Sequence, residues 1–523
     1  MERSTTPNSK LILTAMIFAV SMTFIDQTIV AIAIPTIQDD LDLTATGVQW
    51  IVNGYLLSLS ALFAFGGRLA DLFGHRRMVL TGVVLFAVSS ALCGATPRGG
   101  ASEAWIVTFR VIQGAGAAIM FPAALAIVLH AFPIGERGKA MAIFFAIAGG
   151  LTAIGPLAGG YLSEWTWRAI FWVNVPIAVL AVVLTNMSRP DNLRHPGRLD
   201  YRGAVLVSAG MGLAVLGLQQ SSIWGWGSAA TVLCLAAGLA LLVAFVLYEL
   251  RVEQPLIEVR TFADRGFAVD NLILFLLMIA FVPLFFFASM YAQISLGETA
   301  SETGLYLLIF FGGFATGSQF GGNMLDRGKA RTSVVLGCAV AAVGFYLWAD
   351  ALPELSVGAQ WWRIVIAGFG AGLVLSPANT DALNRVPASR YGEATGITQT
   401  VRNFGSSLGL AVLGTLLILQ NRSRLEATAD EAGLPKEVGS EIADAISSAA
   451  GPEEAPRHLS GAVSKVVEAI PHDFALASRS VFYAMAGVMA VAFLVALVAM
   501  PPGRVEQPED AAPSAGGVGS AAS

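Results

Sequence analysis

The chain is predicted to be an all-α polytopic membrane protein with fourteen transmembrane helices. Composition is the first of three observations behind this. Of 523 residues, 55% are hydrophobic and 13% charged, and the mean hydropathy is +0.68, too apolar for a soluble domain. The second is a succession of apolar runs of about 20 residues, each long enough to cross a hydrocarbon core of roughly 30 Å. The third is charge placement. Lys and Arg gather in alternate loops, the asymmetry that topology imposes on polytopic chains.

Ten polar residues lead directly into the first run, 11–34, which is therefore read as a span and not as a cleavable leader. Runs 48–67, 78–96, 105–129, 140–162 and 168–186 complete a first group of six. Runs 203–221 and 229–249 follow, then a second group at 267–292, 303–322, 332–351, 361–380, 391–420 and 477–500. With the N-terminus inside, the inner loops carry Arg68, Arg76 and Arg77; Arg137 and Lys139; Arg189, Arg194, Arg198 and Arg202; Arg251, Arg260 and Arg265; Arg327, Lys329 and Arg331; and Arg385 and Arg390. The short outer loops hold little that is basic beyond Arg98. A wrong span count would scramble that alternation, so both termini are expected in the cytoplasm.

The expected organisation is a six-helix half at 1–186, two inserted helices with linkers at 187–266, and a second six-helix half at 267–500. The polar segment 421–476 is the one long loop, placed outside, with weakly amphipathic stretches at 438–449 and 459–470; a helical hairpin and plain disorder are both open. The tail 501–523, rich in Pro, Ala, Gly and Ser, reads as disordered. An internal echo supports two halves. Gly322 and Asp326 follow span 10 with the spacing that Gly67 and Asp71 show after span 2, and repeat-built halves around a central site are common in secondary transporters.

Four stretches carry the chemistry. Between spans 2 and 3 lies a tight turn with Gly67, Arg68, Asp71, Gly74, His75, Arg76 and Arg77. Its glycines permit a sharp turn and close helix approach, and Asp71 can cap a helix or pair with an Arg. Span 1 contains Asp26, an intramembrane acid that must face a cavity or a partner. A proton or substrate role and a purely structural one are both open for it. Span 4 holds Arg110, Gln113, Gly114 and Gly116. At 1.5 Å per residue Arg110 lies roughly 8 Å, and Asp26 roughly 13 Å, below the outer edge, which allows direct or water-bridged pairing. Span 5 carries Gly155, Pro156, Gly159 and Gly160, a bend that reads either as a hinge between halves or as an ordinary kink. Arg402, Gln399 and Asn403 lie well inside span 13, where Arg402 either lines a cavity or braces the helix. Trp50, Asn53, Tyr55, Tyr291 and Gln319 are further candidates for cavity lining. Asp270 and Glu393, near span ends, read as interfacial.

The order of residues in these stretches resembles the major facilitator superfamily. Gly67-x-Leu69-Ala70-Asp71-x-x-Gly74-x-Arg76-Arg77 is similar to its signature loop, with Leu72 and His75 as departures where the family favours basic residues. Asp26-x-Thr28-Ile29-Val30-x-x-Ala33-Ile34-Pro35, Arg110-x-x-Gln113-Gly114-x-Gly116-Ala117 and Gly155-Pro156-x-x-Gly159-Gly160 look like the motifs of its fourteen-helix drug/proton antiporter-2 branch. The stretch from Trp165 to Pro176 and that from Arg385 to Gly409 look like further marks of it. Ala31 departs from the Asn often found after the helix 1 Asp, and span 10 lacks the acid that members exporting divalent organic cations often carry. The resemblance implies a major facilitator fold and proton-coupled export of amphipathic small molecules by alternating access. It places Arg110 in the proton relay, Asp26 in coupling or cation recognition, and 155–160 in the gating helix. A proton-coupled uptake symporter is the alternative within transport, and a non-transporting receptor or accessory protein the alternative outside it.

The expected partners are an amphipathic small molecule, protons and the bilayer, with a monomer expected, a location in the cytoplasmic membrane and no nucleic acid. No cofactor, no metal and no catalytic residue are expected. The five His residues form no ligand cluster, and no phosphate-binding Gly-Lys loop is present. Cys93, Cys234 and Cys338 sit in apolar runs and read as buried packing residues.

Overall fold

A computed structural model describes residues 8–192, 199–447 and 461–501. Arg194 and Arg198, the centre of the long outer segment and the tail beyond 501 lie outside the described residues. The described chain is helical throughout: α1 (Ser9–Leu41), α2 (Ala45–Phe73), α3 (His75–Gly94), α4 (Ser102–Ala131), α5 (Ile134–Trp165), α6 (Ala169–Trp172), α7 (Asn174–Ser188), α8 (Tyr201–Trp224), α9 (Ala229–Glu249), α10 (Arg265–Ile294), α11 (Ala300–Asp326), α12 (Ala330–Ala351), α13 (Val357–Asn384), α14 (Tyr391–Glu431), α15 (Lys436–Ser447) and α16 (Gly461–Ala499). With α6 and α7 taken as one span broken at Val173, the fourteen expected spans each fall on a helix. Twelve are long and apolar enough, among the described residues, to cross a membrane; α5 and α11 are the two outside that count.

Packing follows which faces are apolar on all sides. In α4, 78% of the most apolar window is buried, and in α9 only 17%. Thus α4 is a core helix, and α9 turns Val232, Leu233, Leu239, Val243 and Leu247 outward, as a lipid-facing helix does. α1 to α7 pack on one another, as do α10 to α14 with α16. Two long crossings join these groups, α2 on α14 and α5 on α11, and α8 lies against both α2 and α14. α8 therefore braces the first crossing from outside.

Three expectations need correction. α14 runs eleven residues beyond the expected end of span 13, and α16 begins sixteen before the expected start of span 14. Their polar ends pack with α15 around Leu425, Ala429, Ala443, Val466 and Ile470. Apolar residues spaced for one helix face, diluted by polar neighbours, escape a hydropathy window, so much of 421–476 is a helical cap. Asp270 and Glu393 are buried, at 0% and 4% exposure: Asp270 lies 3.5 Å from Arg385 at the end of α13, and Glu393 accepts from Glu258 N, in the segment joining α9 to α10, at 2.6 Å. Cys234 is half-buried on α9, whereas Cys93 and Cys338 are buried.

Candidate functional site

Asp26 of α1, Arg110 and Gln113 of α4 and Tyr55 of α2 meet in the middle of the first helix group, all fully or almost fully buried. Arg110 Nη1 donates to Asp26 Oδ2 at 2.5 Å and to Gln113 Oε1 at 2.9 Å, and its Nε donates to the Ile51 carbonyl at 2.8 Å. Gln113 Nε2 donates to the other carboxylate oxygen at 2.8 Å. The Arg110 guanidinium lies 4.4 Å from the Tyr55 ring centroid. The pairing is direct, with no water between, and each carboxylate oxygen has one donor. Two glycines make room. A Cβ on Gly114 would strike the Tyr55 carbonyl, and one on Gly155 would strike the Thr28 hydroxyl, two residues beyond Asp26. Gly159 is buried on α5; the side chain of Pro156 and the surroundings of Gly160 lie outside the described residues. Trp50 and Asn53 are half-buried on α2.

A second assembly closes the end of the bundle that carries the basic loops, here called the basic face. Gly74 sits at φ 97°, left-handed backbone open to glycine, and breaks α2 from α3. Just before it, fully buried Asp71 accepts from the backbone N–H groups of Gly392 at 2.9 Å and Glu393 at 2.7 Å, and bonds His75 Nε2 at 3.0 Å. A carboxylate thus sits on the positive end of α14. A Cβ on Gly67 would strike the Gly392 carbonyl, so the two helices cross backbone to backbone. The echo is repeated in space: Asp326, closing α11, accepts from Gly138 N at 2.8 Å and Lys139 N at 3.0 Å near the start of α5. Arg137 adds bonds to Asn384 at 3.0 Å and to the Tyr391 hydroxyl at 2.7 Å. Arg76 bonds Asn186, and Arg77 is exposed.

The remaining candidates separate. Arg402 and Gln399 are buried in the middle of α14, with the Arg402 guanidinium 5.4 Å from the Phe145 ring of α5. Asn403 and Gln319 are half-buried. Tyr291 lies elsewhere, in a buried chain in which Gln360 donates to its hydroxyl and that hydroxyl donates to the Leu352 carbonyl; it is committed to packing α10 on α13. Sequence reasoning missed Arg137, Asn384, Tyr391 and Phe145. Arg137 stood out only as one more basic loop residue, and nothing local marked the other three.

An all-helical bundle with an ion pair sealed inside it and two matching interhelical crossings defines a polytopic membrane transporter. The chain belongs to the Major Facilitator Superfamily, whose profile matches residues 16–410. It is 34% identical over 511 residues to the tetracenomycin C resistance and export protein of Streptomyces glaucescens, covering 96% of this chain and 93% of that one. It is 33% identical over 447 residues to the cephamycin export protein CmcT of Amycolatopsis lactamdurans, covering 83% and 88%. The solved human organic anion transporter MFSD10 superposes with a TM-score of 0.61 over 94% of this chain and 100% of that one; at 14% identity this likeness speaks to the fold alone.

Proposed function

We propose that this protein exports drug-like amphipathic small molecules from the cytoplasm by proton-coupled antiport. Export is supported by relatives named as resistance and export proteins along nearly their whole length. In this reading, 1–186 and 267–500 are the halves that alternate, 187–266 supplies the two inserted helices, and the basic face is cytoplasmic, with both termini there.

The observation that carries proton coupling is the buried Asp26–Arg110–Gln113 cluster. Protonating Asp26 would cancel the negative partner of a dry guanidinium and leave an O–H where Arg110 or Gln113 now donates, so the cluster must rearrange. The Thr28–Gly155 contact hands a shift of α1 to α5, whose first turns are held by Asp326 of α11. The structure has the basic face bonded shut at both crossings, which is the outward-facing half of the cycle in this reading. The test is uptake of rhodamine 6G into inverted vesicles with an acid interior. Uptake that collapses when the pH difference is dissipated supports the reading; uptake indifferent to the gradient overturns proton coupling.

A further inference from the structure

Arg402 of α14 has no counter-ion among the described residues. Arg402 is 7% exposed, yet its Nε and Nη1 have no hydrogen-bond partner among the described residues, and none of the described ion pairs includes it. The other two buried arginines among the described residues are hydrogen-bonded at both Nε and Nη1: Arg110 to the Ile51 carbonyl, Asp26 and Gln113, and Arg137 to the Phe132 carbonyl, Asn384 and Tyr391. Two neighbours share the defect. Thr398 Oγ1 and Gln399 Nε2 are likewise buried without partners, and positions 398, 399 and 402 lie on one helix face by i, i+3 and i, i+4 spacing. A row of hydrogen-bond donors therefore stands unused about 16 Å into α14 from its start.

Such an arrangement is costly where nothing matches it, since an uncompensated buried charge is strongly unfavourable. The Phe145 ring opposite the guanidinium, 5.4 Å away, returns only a small part of that cost. At this depth the Asp26 and Arg110 charges cancel each other, so Arg402 leaves a net positive charge between α14 and α5. We propose that Arg402, with Gln399 and Thr398, is a recognition site for an oxyanion (a carboxylate or a delocalised phenolate) on an aromatic substrate whose ring lies against Phe145. The guanidinium fork suits such a group geometrically and electrostatically. The inference rests on the export reading and adds to its substrates a class of aromatic oxyanions.

The test uses two dyes of one ring system and opposite charge, fluorescein and rhodamine 6G, titrated against the purified full chain in nanodiscs. Wild type binds fluorescein, Arg402→Gln binds it at least tenfold more weakly, and rhodamine 6G changes by less than twofold. Gln399→Leu, which keeps the cation and removes a donor, weakens fluorescein about threefold and serves if Arg402→Gln fails to fold. Fluorescein binding equal in wild type and in the variants, or an equal loss for both dyes, overturns the site. Binding that follows this pattern without any transport in vesicles sinks the export reading and leaves the site standing.

Discussion

Asp71→Asn should open the basic face. The buried carboxylate holds two backbone N–H groups of α14 and one ring nitrogen of His75. Asparagine keeps one acceptor oxygen and turns the other into an NH2 facing an N–H donor. One charge-assisted hydrogen bond is lost, about 1.5–3 kcal/mol, together with about 0.3–1 kcal/mol from the anion at a helix start. These bonds join α2 to α14 only while the face is closed, so roughly 2–4 kcal/mol falls on that conformation alone, a shift of about 30- to 1,000-fold in its population. Spin labels at Arg77→Cys and Lys329→Cys, both exposed, in a chain lacking its three native cysteines, read the separation across the face. The variant should show a longer distance that wild type scarcely populates. A distribution that superimposes on wild type would refute the reasoning.

Gly67→Val should open the same face sterically, because its side chain meets the Gly392 backbone with an overpacking penalty of about 1–3 kcal/mol; the same label pair reports it. Asp26→Asn and Arg110→Gln should be coupled by about 1.5–3 kcal/mol in a double-mutant cycle of unfolding free energy, and additive values would deny a working ion pair. At the opposite face, hydrogen bonds from Arg98 and Trp167 hold the Asp40 carboxyl below its ordinary range. Its contribution to stability is therefore present above the usual carboxylate pKa and lost as pH falls through the lowered one. Asp40→Asn should flatten that part of the melting-temperature profile on the acid side.

Helix number and order were legible because lipid demands long apolar runs and loop charge marks the sides. Asp26 and Arg110 were legible because an intramembrane charge has few uses, and their depths agreed. The helical cap was legible only in part: the amphipathic stretches 438–449 and 459–470 left a helical hairpin open, but the run of α14 past 420 stayed hidden because Leu425 and Ala429 form an apolar stripe too thin for a hydropathy window. The contact of Arg137 with Asn384 and Tyr391 joins residues some 250 positions apart, and no local pattern encodes a crossing of that span. Tyr291 misled for the converse reason: an aromatic in a spanning helix looks the same from sequence whether its hydroxyl faces a cavity or the Leu352 carbonyl. Arg402 could be placed in depth, but whether it had a partner depended on the helices around α14.

The most direct test of the central claim compares wild type with Asp26→Asn in inverted vesicles for two activities, rhodamine 6G accumulation driven by an acid interior and dye exchange with no gradient. If Asp26 couples the proton to export, the variant loses accumulation and keeps exchange. Accumulation by Asp26→Asn equal to wild type would contradict the account.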